Sequence, residues 1–490
     1  MKKYKAVIYD IDGTILDTLK MNMIPLQRII KEELGIDYSY EQVLKFASYP
    51  GMKVMEELNI KDKEKIYARW VQYVNDYEEG ASVYLGIREV LETVHKYMRQ
   101  AVVSAKTKKQ YEIDVVSKGL DQFMETAVLA DDTTLHKPDP APILLCLERL
   151  NVEKEEVIYI GDALSDYLCC QAAGVDFGYA LWGSVSDEGI VDPTFTFHQP
   201  IDLLKLIDFS SKENIKMIVS DIDGTLLNDQ EELTEKTKQA LVRLKQNGYL
   251  FGLASGRPLC SIEKLIKQWQ AESLVDFILG INGGHIKDYR LNKEEKYYTI
   301  DGEDIKTIID HFDGYPVNFG VYLDDTLGVM KEDELAVRLS LSDGIDYQVI
   351  DFDEICRTPQ SKLIVMSQPE DMPLIKAHGE KLKSAAFKSV QAGKIEYEFM
   401  HPDLSKSFAL KKIAAWNDIS LKQIIAFGDA DNDAEIIKEA GIGVAMGNAS
   451  PQTKKNADYI TLDHQHNGVA CFINSIFLDK EKKEDEDHRL

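Results

Sequence analysis

The stretch V-I-Y-D-I-D-G-T-I-L occupies residues 7–16, and residues 218–227 repeat it as I-V-S-D-I-D-G-T-L-L. Each copy is a short run of apolar residues, typical of a buried strand, that ends in a turn carrying two aspartates. A second apolar run that ends in Gly-Asp follows far downstream of each copy, at 157–162 and at 424–429. The same order of features occurs twice, which indicates two related structural units in one chain.

The segments between these markers alternate strand-like and helix-like patterns in both halves of the chain. Such alternation favours parallel, doubly wound sheets with right-handed connections. The sequence therefore predicts an α/β fold with two Rossmann-like cores in tandem. We expect the core strands near residues 5–10, 100–104, 126–130, 157–161 and 177–181, and near residues 216–221, 250–254, 276–281, 424–428, 442–446 and 458–461.

Two segments depart from the alternation, and each is predicted to be an insert that forms a cap. Apolar residues recur at helical spacing after the first acidic turn, which predicts a helical cap at about residues 19–82. The residues that carry this spacing are Met23, Leu26, Ile29, Ile30 and Leu34. Residues 284–395 mix helix and strand patterns, which predicts an α/β cap. Its strand candidates are Lys296–Ile300, Val317–Leu323, Lys362–Met366 and Ile395–Met400.

The domain bounds follow from the repeat and from one polar stretch between the copies. Residues 208–214 read D-F-S-S-K-E-N, lack periodicity and are predicted to be the linker. We therefore expect one domain at 1–208 and a second at 215–478. Residues 479–490 are almost all charged and are predicted to form a solvated tail.

Composition restricts the class of partner and the compartment. The chain has 490 residues and a formal net charge of −26, so a nucleic-acid partner is not expected, because a phosphate backbone requires a basic face. The six cysteines show no metal-ligand spacing, and scattered cysteines fit a reducing cytoplasm. Every apolar run is shorter than a membrane span. We expect a cytoplasmic protein without a membrane partner, and the sequence makes no prediction of oligomeric state.

The aspartates of the first acidic turn have the chemistry needed for phosphoryl transfer. A carboxylate that follows a strand lies at the carboxyl edge of a parallel sheet, where open α/β proteins bind ligands. Asp10 can attack phosphorus there and form an aspartyl phosphate. Asp12 can serve as general acid and then as general base. Gly13 permits the tight turn, and the Thr14 hydroxyl can anchor it beside a phosphate.

Other strand ends and loops of the first unit supply the remaining groups. Ser104 can donate to a phosphoryl oxygen, and Lys137, in H-K-P-D-P, can neutralise charge on the nucleophile and the phosphate. Mg2+ prefers several oxygen ligands, and Asp10, the carbonyl of Asp12 and Asp162 would supply three. Asp166, four residues after Asp162, either supports this loop by hydrogen bonding or contacts the metal.

The second unit repeats every part of this set. Asp221 is the predicted nucleophile, and Asp223 is the predicted acid/base. The phosphate-binding candidates are Thr225, Ser255, Gly256, Lys406 and Asn432, the last of which could instead orient Asp221. The metal-binding candidates are Asp221, Asp223 and Asp429, with Asp433 in the position that Asp166 has in the first unit.

Taken together, these motifs resemble those of the haloacid dehalogenase superfamily over nearly the whole chain. The resemblance implies a Rossmann-like core with a mobile cap and a Mg2+-dependent reaction. True dehalogenases of the superfamily lack the acid two residues after the nucleophile, so Asp12 and Asp223 favour phosphate chemistry. The first unit resembles the phosphoglycolate phosphatase and pyrophosphatase branch, in which the loop at Pro50-Gly51 would approach the substrate. The second unit, with N-G-G at 282–284, resembles the Cof-type branch, which dephosphorylates sugar phosphates, flavin mononucleotide or pyridoxal phosphate.

The sequence therefore predicts a phosphatase with two potential active sites that acts on small phosphorylated metabolites. One alternative is that a single unit is catalytic and the other is a scaffold or a regulatory domain. A second alternative is a phosphomutase in the first unit, in which phosphorylated Asp10 passes its phosphate to a sugar. A two-component receiver also phosphorylates an aspartate at a sheet edge, but the D-x-D pair with threonine and the length of each unit do not fit it.

Overall fold

The computed structural model describes residues 3–47, 49, 51–207 and 214–478. The chain divides into two compact units, residues 1–209 and 210–490. The predicted tail at 479–490, Pro50 of the predicted cap loop and positions 208–213 of the predicted linker lie outside the described residues. Within the described residues, no helix is long and apolar enough to cross a membrane.

The first unit is built on a six-stranded parallel sheet. The strands of the unit are β1 (Ala6–Tyr9), β2 (Leu16–Asp17), β3 (Ser82–Val83), β4 (Arg99–Val103), β5 (Thr126–Val128), β6 (Val157–Gly161), β7 (Asp176–Ala180) and β8 (Phe195–Phe197). Strands β2 and β3 form a separate two-stranded sheet. The order in the main sheet is β5-β4-β1-β6-β7-β8. Strand β1 pairs in parallel with both β4 and β6, and all four of its residues are fully buried. A central strand that is buried on both faces explains the unbroken apolar run A-V-I-Y.

The helices of the first unit cover this sheet and form its insert. They are α1 (Leu19–Leu34), α2 (Tyr40–Leu44), α3 (Gly51–Glu57), α4 (Lys63–Asn75), α5 (Ile87–Val94), α6 (Lys108–Asp114), α7 (Ala141–Leu150) and α8 (Leu164–Ala173). Helices α1–α4, the helical cap, lie between β2 and β3, which pair with each other antiparallel. Met23, Leu26, Ile29 and Ile30 are buried, as the helical spacing predicts. Leu34 is 37% exposed, because α1 ends there before Gly35, which adopts the left-handed conformation.

The second unit contains two larger sheets. Its strands are β9 (Met217–Ser220), β10 (Leu250–Ala254), β11 (Phe277–Gly280), β12 (His285–Asp288), β13 (Lys293–Lys296), β14 (Asn318–Tyr322), β15 (Leu327–Val329), β16 (Tyr347–Val349), β17 (Lys362–Met366), β18 (Lys388–Gln391), β19 (Glu396–Met400), β20 (Ile424–Gly428), β21 (Ile442–Ala445) and β22 (Tyr459–Ile460). The core sheet has the order β13-β12-β11-β10-β9-β20-β21-β22, and the cap sheet has the order β16-β15-β14-β17-β19-β18. Strand β9 lies at the centre of the core sheet, in parallel with β10 and β20.

The helices of the second unit pack on both sheets. They are α9 (Glu235–Gln246), α10 (Leu259–Gln268), α11 (Gly302–His311), α12 (Glu334–Asp343), α13 (Phe352–Ile355), α14 (Met372–Gly379), α15 (Lys406–Trp416), α16 (Ala434–Glu439), α17 (Pro451–Asn456) and α18 (Gly468–Phe472). In the cap, Leu363 and Val365 of β17 pack in one apolar cluster with α11 and α14. Ile364 and Met366 pack in a second cluster with α12. Alternate residues of one strand therefore serve the two faces of the cap sheet.

The predicted fold class is confirmed: two α/β cores stand in tandem, the first with a helical insert and the second with an α/β insert. Every predicted core strand is present. The hairpin β12–β13 extends the core sheet antiparallel to β11, although its residues belong to the segment assigned to the cap from sequence. The strand predicted at Lys296–Ile300 is wrong, because β13 ends at Lys296 and Tyr298 has a positive φ of 53°. The charged run K-E-E-K lacks the apolar alternation that marks a strand, so the hairpin was not predicted.

Candidate active sites

In the first unit, a buried lysine lies between two carboxylates at the carboxyl edge of the sheet. Asp10 follows β1 directly and is 7% exposed. Lys137 Nζ lies 2.9 Å from Asp10 Oδ1 and donates to Asp166 Oδ1 at 2.7 Å. The Tyr159 hydroxyl also donates to Asp166 Oδ1, at 3.2 Å. Burial favours the neutral amine and so acts to lower the pKa of Lys137. The negative charges of Asp10 and Asp166 have the larger combined effect, and the pKa of Lys137 is raised.

A third carboxylate, Asp162, completes an acidic cluster. Carboxylate oxygens of Asp10, Asp162 and Asp166 lie within 4.8 Å of one another. The Thr14 hydroxyl donates to Asp162 Oδ1 at 3.1 Å, which holds the acidic turn against the loop after β6. Burial, followed by repulsion from neighbouring carboxylates, raises the pKa of Asp10 to about 7 and raises that of Asp162 well above its usual range. A cluster of oxygens that repel one another in this way fits a divalent cation.

The second unit has the same arrangement. Lys406 Nζ donates at 2.7 Å to Asp221 Oδ1 and at 2.7 Å to Asp433 Oδ1. The Thr225 hydroxyl donates to Asp429 Oδ1 at 2.8 Å. The oxygens of Asp221, Asp429 and Asp433 again lie within 4.8 Å of one another. Burial raises the pKa of Asp221 well above its usual range and that of Asp429 to about 6.

Each unit has one predicted serine, which follows the strand next to that of the predicted nucleophile, and both serines are buried. Ser104 follows β4, and its Oγ accepts the backbone N–H of Lys106 at 3.4 Å. Ser255 follows β10, and its Oγ accepts the backbone N–H of Arg257 at 3.2 Å. These contacts use a lone pair of each hydroxyl and not its proton, so each hydroxyl can still donate to an anion.

The residue two positions after each serine carries a cation that contacts the predicted acid/base, and this residue is not among the sequence-based site candidates. Lys106 Nζ lies 3.0 Å from Asp12 Oδ1. The Arg257 guanidinium donates to both oxygens of Asp223, each at 2.8 Å. The common spacing in S-A-K and S-G-R was a usable signal, because only a comparison of the two copies shows a cation at the same position.

Two further side chains hold the acidic turns. Each comes from the loop after the strand that lies two places away from the strand of the turn, β7 in the first unit and β21 in the second. Trp182 Nε1 donates to the Thr14 carbonyl at 3.1 Å in the first unit. In the second unit, Asn448 Nδ2 donates to the Gly224 carbonyl at 2.8 Å. The motifs used in the sequence analysis do not include either side chain.

The cap of the second unit contributes polar groups to the same region. Lys362 of β17 forms an ion pair with Glu398 of β19 and donates to the Gly256 carbonyl at 3.1 Å. Glu398 Oε2 accepts from Asn282 Nδ2 at 3.2 Å, and Asn282 Oδ1 accepts from Asn432 at 3.2 Å. The amide of Asn432 thus contacts Asn282 and not Asp221. This contact does not support the alternative in which Asn432 orients Asp221, and the phosphate-binding role of Asn432 stays a prediction.

Fold and site together define a protein with two Rossmann-like domains, each with an inserted cap and an acidic centre at the carboxyl edge of its sheet. Two family models, both described as haloacid dehalogenase-like hydrolase, match residues 7–180 and residues 218–473. The chain belongs to the haloacid dehalogenase-like hydrolase family. The resemblance inferred from the sequence motifs, two tandem units of this superfamily, is confirmed.

Each of the relatives described here matches about half of this chain, over nearly its own full length. The 5-amino-6-(5-phospho-D-ribitylamino)uracil phosphatase YitU of Bacillus subtilis is 27% identical over 53% of this chain and 97% of its own length. A phosphoglycolate phosphatase of Aquifex aeolicus is 30% identical over 42% of this chain and 97% of its own length. A haloacid dehalogenase-like hydrolase from Bacteroides thetaiotaomicron has a similar structure, with a TM-score of 0.50 and 26% identity over 54% of this chain and all of that chain.

Proposed function

We propose that each unit is a Mg2+-dependent phosphatase that releases phosphate from small phosphorylated metabolites through an aspartyl phosphate. One observation carries the proposal. A strand-end aspartate is ion-paired to a buried lysine beside two further carboxylates, and this arrangement occurs in both units. The proposal keeps the domain bounds 1–208 and 215–478 that the sequence predicts.

The first step transfers the phosphoryl group to the strand-end aspartate. An Asp10 oxygen forms a bond to phosphorus while the bond from phosphorus to the leaving oxygen breaks. Asp12 gives its proton to that oxygen, so the product leaves as an alcohol. Lys137 offsets the charge that accumulates between nucleophile and phosphate, and the hydroxyls of Ser104 and Thr14 orient the phosphoryl oxygens.

The second step returns the enzyme to its starting state. Water attacks the phosphorus of the aspartyl phosphate, and Asp12, now ionised, accepts the proton that the water loses. The bond between phosphorus and Asp10 breaks, and inorganic phosphate leaves. In the second unit, Asp221 and Asp223 take these two roles, with Lys406 as the cation and the hydroxyls of Thr225 and Ser255 on the phosphoryl group.

The acidic clusters are the proposed metal sites. Asp10, the carbonyl of Asp12 and Asp162 would hold Mg2+ in the first unit, and Asp221, the carbonyl of Asp223 and Asp429 in the second. The bound ion supplies positive charge that offsets the carboxylates and the phosphate. Asp166 and Asp433 each bind the site lysine with one oxygen and loop N–H groups with the other, so we assign them a supporting role.

The names of the relatives suggest the class of substrate. Both relatives described above are named as phosphatases of small phosphate monoesters. We therefore propose small, polar phosphate monoesters as substrates of both units. In the second unit, the buried polar groups Lys362 and Glu398 of the cap and Asn282 of the core suit a substrate that carries hydroxyl or amide groups.

A screen of phosphorylated metabolites with the full-length chain tests the proposal. Three variants are compared with the wild type: Asp10→Asn, Asp221→Asn and the double variant. We expect each single change to abolish turnover of a different set of substrates, and the double change to abolish all turnover. The exposed Asp310→Asn variant is the control and should match the wild type. Phosphate release by the double variant, or turnover that survives complete chelation of metal, would overturn the proposal.

The same screen separates the alternatives. If only one unit is catalytic, one single variant will abolish all turnover and the other will change nothing. If the first unit is a phosphomutase, the Asp221→Asn variant will isomerise sugar phosphates without release of inorganic phosphate.

A further inference from the structure

The cation that follows each strand-end serine contacts three kinds of group. In both units, its backbone N–H donates to the serine Oγ, which fixes the start of the loop. Its side chain reaches the predicted acid/base aspartate. The third contact differs between the units, and this difference distinguishes how the two acid/base groups are held.

In the first unit, the third contact lies within the core. Lys106 is 7% exposed, and its ammonium lies 3.0 Å from Asp12 Oδ1 and 2.6 Å from Asp114 Oδ2. Asp114 is the last residue of α6, a core helix, and is 3% exposed. The side chain of Asp12 is 37% exposed. A buried cation anchored to the core thus holds one oxygen of a carboxylate that is open to an incoming substrate.

In the second unit, the third contact comes from the cap. Arg257 is 8% exposed, and two of its nitrogens hold both oxygens of Asp223, whose side chain is 47% exposed. The remaining nitrogen, Nη1, donates to the carbonyl of Ser342 and lies 3.8 Å from Asp343 Oδ1. Both residues belong to the last turn of α12 in the cap. The Tyr322 hydroxyl of the cap sheet donates to Asp343, so this end of α12 is itself held in place.

A planar guanidinium whose three nitrogens each donate a hydrogen bond, two to Asp223 and one to the Ser342 carbonyl, has one favoured orientation. If the cap moves away, Ser342 and Asp343 leave Arg257, and Asp223 is the remaining partner of the guanidinium among the described residues. The position of Asp223 therefore depends on the cap. Among the described residues of the first unit, the two carboxylate partners of Lys106, Asp12 and Asp114, both lie outside the cap, so the hold on Asp12 does not involve it.

We propose that Lys106 and Arg257 are equivalent positioning residues for the acid/base aspartates, and that the cap of the second unit controls its acid/base through Arg257. The inference rests on the proposed function, since it requires Asp12 and Asp223 to move protons. It adds a cation to each site and assigns the two units different control: the first unit's acid/base is held by the core alone, and the second unit's acid/base is held jointly with the cap.

The dependence of rate on the leaving group tests the first part of the inference. General acid catalysis matters for an alkyl phosphate, whose alkoxide leaves poorly, and matters little for p-nitrophenyl phosphate, whose phenolate leaves without a proton. We compare Lys106→Met in an Asp221→Asn background and Arg257→Met in an Asp10→Asn background, so that each full-length chain has one working site. The probes are p-nitrophenyl phosphate and the best alkyl phosphate from the metabolite screen.

We expect kcat for the alkyl phosphate to fall by about 100-fold or more in each variant, while kcat for p-nitrophenyl phosphate falls by less than about fivefold. KM should change by less than about threefold, because the interaction serves proton transfer and not ground-state binding. The remaining activity on p-nitrophenyl phosphate also shows that the variant is folded. The conservative variants Lys106→Arg and Arg257→Lys keep a cation and should recover part of the lost rate.

Equal losses on both substrates, in the methionine and in the conservative variants, would overturn the inference, since they would indicate a role in phosphate binding or in folding. The variants Asp12→Asn and Asp223→Asn separate this failure from a failure of the proposed function. If these two show no dependence on the leaving group, the acid/base assignment itself is wrong. If they show it and the Lys106 and Arg257 variants do not, only the positioning role is wrong.

The cap's control of the second unit has its own test. Asp343→Asn removes a charge that faces Arg257 and touches no proposed substrate group. We expect it to lower kcat for the alkyl phosphate by about tenfold and to leave p-nitrophenyl phosphate nearly unchanged. Glu334→Gln, at the exposed start of the same helix, is the matched control and should have no effect. An Asp343→Asn variant that behaves like this control would overturn the control of Arg257 by the charge at this end of the cap helix.

Discussion

A lysine amine buried between two carboxylates is the residue-level feature common to both units. Lys406 is 2% exposed, and its ammonium lies 2.7 Å from an oxygen of Asp221 and from an oxygen of Asp433. A charge in such a place is stable only with its partners, because desolvation opposes it. Loss of the lysine is therefore expected to lower the stability of the unit as well as its activity.

Lys406→Met is expected to lower the free energy of unfolding of the second unit by about 3–5 kcal/mol, because it leaves buried carboxylates without a partner. Lys411→Met, on the same helix, is the matched control: Lys411 is paired with Glu439, but its side chain is 49% exposed. Loss of an exposed pair should cost less than about 1 kcal/mol. Urea denaturation of the full-length variants measures both, and similar costs for the two would contradict this account of the site lysine.

The acidic turn of the first unit requires a residue without a side chain at position 13. Gly13 has a φ of 75°, and a Cβ there would lie 2.1 Å from Asp162 Oδ2. Gly35 has a similar φ of 70°, but nothing lies within 4 Å of a Cβ there. An alanine at position 35 would therefore cause backbone strain alone, whereas an alanine at position 13 would also displace Asp162.

Gly13→Ala is expected to reduce activity of the first unit at least about 100-fold, measured in an Asp221→Asn background, because a misplaced carboxylate disturbs the reacting geometry. Gly35→Ala should cost about 1–2 kcal/mol of stability through backbone strain and leave activity unchanged. Equal activity in the two variants would show that the close approach of residue 13 to Asp162 does not matter.

Sequence reasoning at this scale works where a motif fixes both residue type and strand position. Asp10, Thr14 and Asp162 stand at strand ends that apolar runs predict, so their meeting at one sheet edge follows from the parallel topology. The contacts of Lys106 and Arg257 with the acid/base aspartates could not be predicted in this way, because they depend on the path of the loop that carries each cation. The hydrogen bond from Asn432 to Asn282 joins two loops 150 positions apart, and no local pattern predicts it.

At the scale of elements, one strand of the second unit's cap carries two glutamates close together. Glu396 and Glu398 lie on the same face of β19, two residues apart. Glu398 has Lys362 as its partner. Burial first, and then repulsion from Glu398, raises the pKa of Glu396 to about 7, although Lys362 opposes the rise. The folded cap thus favours the protonated form of Glu396.

A raised pKa in the folded state means that Glu396 supports stability at low pH and that this support is lost as pH rises through about 7. Glu396→Gln keeps the neutral form at every pH. We expect its stability advantage over the wild type to grow from less than about 1 kcal/mol near pH 5 to about 3 kcal/mol near pH 8.

Urea denaturation of the full-length chain at the two pH values measures the Glu396→Gln effect. Glu370→Gln, at an exposed position of the cap, is the control and should match the wild type at both. A Glu396→Gln variant that is no more stable than the wild type near pH 8 would contradict the role of burial.

Elements were predictable in proportion to their burial. Strands β1, β6, β9 and β20 are buried on both faces, and each appears in the sequence as a continuous apolar run. The edge hairpin β12–β13 contains the exposed and charged K-E-E-K, and its pairing with β11 follows from contacts that lie outside the segment. The three-residue edge strand β8 is too short to show a period.

At the scale of the whole molecule, the chain carries two complete sets of the same groups, one in each compact unit. The two acidic clusters share no residue, so each is expected to bind metal independently. We expect the wild type to bind two Mg2+ ions in isothermal titration calorimetry, and Asp162→Asn or Asp429→Asn to remove one each, because a carboxylate oxygen is lost from the site.

The double variant Asp162→Asn, Asp429→Asn should bind no Mg2+ with comparable affinity. Asp310→Asn, at an exposed position outside both clusters, should bind as the wild type does. Two bound ions in either single variant would show that the clusters at 10, 162 and 166 and at 221, 429 and 433 are not the metal sites.

The central claim is that Asp10 and Asp221 receive the phosphoryl group. Rapid acid quench of the full-length chain during turnover, reduction with borohydride and peptide mass spectrometry tests it directly, because borohydride converts an aspartyl phosphate to homoserine. The account predicts homoserine at position 10 with substrates of the first unit and at position 221 with substrates of the second, and at neither position without substrate. Phosphate release with modification at any other residue, or at none, would contradict it.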